Sequence, residues 1–139
     1  MDKITGFMLL ATYILVVGLG SFLQKFVMGK VTPFQLEFMT AIGMFMVTVP
    51  ALLISQKSLN IPITSVPAAW LVGLLFAVGS FVYVLSVSKL PLGLAAPVST
   101  GYVALAVILS VIFLKEPITL PKILGIILTL SGVAILSTQ

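Results

Sequence analysis

The sequence predicts an all-α protein, a polytopic transmembrane bundle of five helices. Three observations carry that expectation. First, 60% of the 139 residues are hydrophobic and 7% are charged, at a mean hydropathy of +1.33. Soluble domains run at about 45–50% apolar and about 25% charged, and a small soluble fold leaves much of its surface in water. Soluble enzymes, nucleic-acid binders and disordered tails are excluded on this ground. Second, the charge-free stretches Ile4–Gln24, Phe38–Gln56, Ser58–Ser88, Leu90–Leu114 and Ile123–Gln139 each approach or exceed a membrane crossing, which takes roughly 20 residues at about 1.5 Å rise. Third, these runs are continuously apolar rather than alternating, which argues against a β-barrel.

Turn chemistry trims the runs to helices near 4–27, 33–55, 67–88, 92–114 and 119–137. The first break is Gly29-Lys30-Val31-Thr32-Pro33, and Pro33 opens the second helix. The second runs from Gln56 through Asn60 and Pro62 to Pro67. Lys89-Leu90-Pro91 and Lys115-Glu116-Pro117 separate the last three helices. Thr119 is placed to cap the fifth, with Pro121 tolerated in its first turn. Pro97 removes one backbone donor inside the fourth helix and is expected to bend it. The first run lacks a clear small-residue cleavage site and reads as a helix, not a signal peptide. No soluble domain is left over, so residues 1–139 read as one membrane domain.

The polar inventory is short. With no Cys and no His, thiolate nucleophiles, imidazole bases and the common zinc sets are absent, so neither metal nor cofactor is expected. The acids are Asp2, Glu37 and Glu116, and every cation is a lysine. No nucleophile–base set exists, so the chain does not read as an enzyme. The lysines stand singly between apolar runs, an arrangement that suits lipid headgroups better than nucleic acid. Five crossings put Lys3, Lys57, Lys115 and Lys122 on one side and Lys25, Lys30 and Lys89 on the other. Orientation follows an excess of Lys and Arg on the cytoplasmic side. Four against three leaves both a single and a dual orientation open.

The run from Leu90 to Ser99 (LPLGLAAPVS), the turn from Leu114 to Thr119 (LKEPIT) and the stretch from Gly125 to Val133 (GIILTLSGV) together resemble the drug/metabolite transporter superfamily in its EamA-type domain. Gly20-Ser21, Lys25 and Pro33 extend the resemblance through the N-terminal half. It implies half of a ten-helix inverted-repeat transporter. Transporters place their substrate sites at the interface of such repeats, and one unit cannot supply both halves. The resemblance and the lysine count therefore point to a homodimer, antiparallel, embedded in the cell (inner, cytoplasmic) membrane. The chain is also similar to the small multidrug resistance branch, and Gly125–Val133 falls on that branch's last-helix dimerisation motif. Two departures stand out. The branch's membrane-embedded Glu aligns with Val17, so its proton-coupled cation antiport is unsupported here. An Arg frequent in full-length relatives aligns with Thr40.

At about 100° per residue, Gly6, Tyr13, Val17, Gly20 and Gln24 share a face of the first helix. Phe76, Gly79, Ser80 and Tyr83 do so on the third, and Ala95, Ser99, Tyr102, Ala106 and Ser110 on the fourth. Tyr13, Gln24, Ser80, Tyr83, Ser99 and Tyr102 are the candidates for a substrate cavity, and helix–helix packing is the competing role for such faces. Gly125 and Gly132 mark a dimer seam. Ionisable groups in a membrane are costly and often functional. Glu37 and Lys25 flank one loop, so they are the coupling or substrate-charge candidates and could pair with each other; snorkelling is the plain alternative for Lys25. Glu116 is expected to order the turn before the last helix, and Trp70 to anchor at the interface. The function expected is transport of small metabolites or amphipathic organic compounds by alternating access. A non-transporting subunit that scaffolds a larger membrane complex is the rival reading.

Overall fold

The computed structural model describes residues 3–55 and 62–138. Asp2, Gln56, Lys57 and Asn60, used above for charge and turn placement, lie outside the described residues. Among the described residues the regular structure is helical throughout: α1 (Lys3–Val27), α2 (Pro33–Ile54), a single 3₁₀ turn (Ile63–Ser65), α3 (Val66–Lys89), α4 (Leu92–Ser99), α5 (Tyr102–Phe113) and α6 (Leu120–Ser137). Among the described residues, five spans are long and apolar enough to cross a bilayer, with α4 and α5 forming one of them. The chain is a multi-pass membrane protein, and the five-helix fold expected from sequence is the one observed. It divides into two compact units, Met1–Ser88 and Lys89–Gln139.

In the first unit, α2 starts on a reciprocal cap. Thr32 is extended at the N-cap; its hydroxyl accepts from the Gln35 N–H at 3.3 Å, and the Gln35 side chain accepts from the Thr32 N–H at 2.9 Å. Two donors that would otherwise be orphaned are satisfied this way. Pro33 follows at the first helical position, where its missing N–H is not needed. Phe34 at the start of α2 meets Phe81 of α3, with ring centroids 5.2 Å apart and planes tilted by 59°. That is the offset, tilted geometry aromatic quadrupoles favour. Val84 and Val87, on the same stripe of α3, are fully buried.

In the second unit, α6 packs against α4 and α5. Here the sequence expectation needs correcting, because the fourth span is not one continuous helix. Pro97 leaves the Gly93 carbonyl without its usual donor. The chain then tightens into i→i+3 bonds, Thr100 N–H to Pro97 O at 3.0 Å and Gly101 N–H to Val98 O at 3.1 Å. A Cβ on Gly101 would meet that Val98 oxygen at 3.2 Å, a backbone atom that cannot swing aside. The break therefore falls at Thr100-Gly101, three residues beyond the proline.

The turn between α5 and α6 departs from expectation in one detail. Thr119 occupies the N-cap position of α6, but its side chain makes no capping bond. The turn is held from α5 instead. Lys115 takes a left-handed conformation, φ 54°, which returns the Glu116 N–H to the Ser110 carbonyl at 3.4 Å. A non-glycine residue costs about 1–2 kcal/mol there. Lys115→Gly is therefore expected to raise stability by about 1 kcal/mol and Lys115→Val to lower it by a similar amount, read from reversible unfolding in mixed micelles.

Candidate functional site

Most side chains of the spans face outward. Among the described residues, Val84, Val87 and Ala95 are the buried hydrophobics, and the buried class holds no polar residue. An apolar exterior is what lipid requires, so the informative positions are the polar groups drawn inward.

In the first unit the contacts between helices fall where α1 ends, α2 begins and α3 runs to its end, through Lys25–Val87 and Phe34–Phe81. Gln24, Lys25, Glu37, Ser80 and Tyr83 are all half-buried. The Lys25 ammonium donates to the Val87 carbonyl of α3 at 2.6 Å. Glu37 lies one turn into α2, and its Oε2 is sealed from solvent with no hydrogen-bond partner. The Lys25–Glu37 pair expected from sequence does not form. Both groups flank the loop between α1 and α2, yet the ammonium is directed to a helix end and the Oε2 of the carboxylate is left without a hydrogen-bond partner. Snorkelling does not describe Lys25 either, since its Nζ is engaged by protein. Lys30, by contrast, lies over the Phe26 ring at 5.2 Å and is exposed, as suits an interfacial cation.

Tyr13 is placed differently. It is 56% exposed, on an open depression of about 590 Å³ lined by Lys3, Gly6, Phe7, Leu9 and Leu10 of the same helix. Twelve residues before Lys25, it lies about 18 Å further along α1.

In the second unit, the break between α4 and α5 separates Ser99 from Tyr102, so the single face expected for them is interrupted. Both are exposed, and the Ser99 hydroxyl donates to the Ala96 carbonyl at 2.7 Å. A Cβ built on Gly125, which is exposed, or on Gly132, which is half-buried, meets nothing within 4 Å. Glu116 orders its turn, as expected. It pairs with Lys122 at 3.7 Å and accepts from the Ser110 hydroxyl at 3.5 Å, while Lys122 also reaches the Pro117 carbonyl at 3.2 Å. Trp70 is 70% exposed, consistent with an interface anchor.

Sequence reasoning missed two elements of the first unit. One is the Phe34–Phe81 pair, which ordinary apolar composition conceals. The other is the Val87 carbonyl, for which a signal was available. Residue 91 is proline, so the carbonyl four residues earlier has no helical donor to receive.

The profile of the EamA-like transporter family matches residues 4–138. The chain belongs to the EamA-like transporter family. It is also similar to an uncharacterised protein of Methanocaldococcus jannaschii, with 32% identity over 123 residues that cover 86% of this chain and 87% of that one. No solved structure matches. Family membership and five apolar spans together point to a membrane transporter of the drug/metabolite type.

Within this EamA-like chain, Glu116 is a surface group. It and Lys122 are about half exposed, and such pairs contribute about 0–1 kcal/mol. Glu116→Gln is expected to change unfolding stability by less than about 1 kcal/mol, measured in the same micelles.

Proposed function

We propose that this EamA-like chain transports small metabolites or amphipathic organic compounds across the cytoplasmic membrane. It does so by alternating access, as an antiparallel homodimer. Each chain contributes one five-helix domain, 1–139, to a ten-helix whole. The observation that carries the reading is the room left at the small residues of α6, where a Cβ on Gly125 or Gly132 would meet nothing within 4 Å. A second copy related by inversion supplies the missing half, with α6 as the seam.

The assembled cavity is lined by Tyr13, Gln24, Ser80, Tyr83, Ser99 and Tyr102. Phenols and hydroxyls in lipid need partners, and a polar substrate provides them. Glu37 supplies the fixed charge, because its Oε2 has no partner within the protomer. Ionisable groups inside membranes tend to mark substrate or ion pathways. One carboxylate per protomer suits monovalent or neutral amphipathic cargo better than a doubly charged solute. The orientation near-balance of the lysines fits insertion in both directions.

Uptake and efflux in proteoliposomes, with and without a proton gradient, test the reading against a panel of radiolabelled metabolites. Glu37→Gln is expected to lower transport at least about tenfold, since a charged contact contributes roughly 1.5–3 kcal/mol. Tyr83→Phe and Tyr102→Phe should each reduce it by several-fold. Unchanged transport in all three variants would remove the site assignment. No transport of any solute by the wild type would favour the scaffold role.

A further inference from the structure

The last turn of α3 poses a problem of its own. Each carbonyl in an α-helix accepts from the N–H four residues on. For Val87 that residue is Pro91, which has no N–H. Val87 is also fully buried, so water cannot serve as the donor. Leaving such a carbonyl unmet costs about 1–3 kcal/mol.

Lys25 solves it from 62 residues away. Its ammonium donates to Val87 O at 2.6 Å, within the short range of charge-assisted bonds. The positive charge also sits at the negative end of the α3 dipole. Among the described lysines, Lys3, Lys30, Lys89, Lys115 and Lys122 are exposed and Lys25 is half-buried. Among the described acids, Glu116 is exposed and Glu37 is half-buried. These are the two inward charges described in the first unit, and the structure directs the ammonium to Val87.

We propose that Lys25 is a positioning residue: it caps α3 through Val87 and thereby keeps its ammonium off Glu37, leaving the enclosed Oε2 of that carboxylate unpaired until a ligand reaches it. The cap holds the C-terminal half of α3, which carries Ser80 and Tyr83, against the end of α1. The Phe34–Phe81 contact joins the start of α2 to the same segment. The ligand-facing half of the inference rests on the transporter reading; the capping half does not.

The test uses the full chain in lipid nanodiscs and needs no substrate. Hydrogen exchange by mass spectrometry is compared for wild type, Lys25→Met and Lys25→Arg. The Met variant is expected to raise exchange across the last turns of α3 at least about tenfold, the equivalent of one lost charge-assisted bond. The Arg variant, which keeps a charged donor, should stay within about threefold of wild type. In parallel, the rate at which dicyclohexylcarbodiimide modifies Glu37 is measured. Because Lys25 is not paired with Glu37, Lys25→Met should leave that rate within about twofold. Unchanged exchange in the Met variant, or a rise spread equally over α6, overturns the cap. A large change in Glu37 modification overturns the separation of the two charges. Neither readout involves transport, so a failure here is distinct from a failure of the proposed function.

Discussion

In hydrocarbon, a backbone N–H or C=O that finds no partner within the protein finds none at all. That constraint governs nearly every feature of this chain. It makes each span helical, since a helix satisfies its own backbone. It turns side-chain hydroxyls back onto their own helices, as when Thr12 donates to Met8 O at 3.0 Å and Thr129 to Gly125 O at 2.8 Å. Where proline removes a donor, the same constraint dictates the repair. After Pro97 the repair is local, a tightening into i→i+3 bonds at Thr100-Gly101. Before Pro91 it is long-range, and a lysine from another helix is drawn inward to complete it.

The second governing fact is the scarcity of charge. Three acids and seven lysines serve 139 residues, so the location of each one carries information. Glu116 and Lys122 meet at the exposed turn before α6. Lys30 rests on an aromatic ring near the end of α1. Lys25 and Glu37 are the pair drawn inward, and they are kept apart. A carboxylate oxygen without a partner is expensive in a low-dielectric setting, which is why the proposed cargo site is centred on it.

Much of this was legible in the sequence. Continuous apolar runs cut by Gly, Pro, Asn and Lys placed all five spans within a few residues, because hydrocarbon thickness and helical rise leave little freedom. The role of Glu116 in its turn followed from its position beside the start of α6. The interruption of the fourth span was not placed: Pro97 announced a disturbance, but its site depends on how Gly101 approaches Val98. The Thr119 hydroxyl was expected to cap and does not, because the left-handed Lys115 and the Glu116–Lys122 contact hold that turn. Lys25 was read against its neighbour in sequence, Glu37, while its partner lies 62 residues on. Periodicity reports the face a residue occupies, and it is silent on contacts between distant helices. The open faces of Gly125 and Gly132 carry a similar lesson. Small residues at helical spacing signalled close approach, yet within one protomer a Cβ added at either would meet nothing within 4 Å.

The central claim is that a second copy fills those faces. Cysteines placed singly at positions 125, 129 and 132 test it directly, since the natural sequence contains none and an added Cβ at either glycine meets nothing in the protomer. In native membranes under mild oxidation, the account predicts disulfide-linked dimers from at least one of these positions on α6. It also predicts no such product from a control cysteine at Phe7, on the exposed stretch of α1. Chains that remain monomeric at all three α6 positions would contradict it.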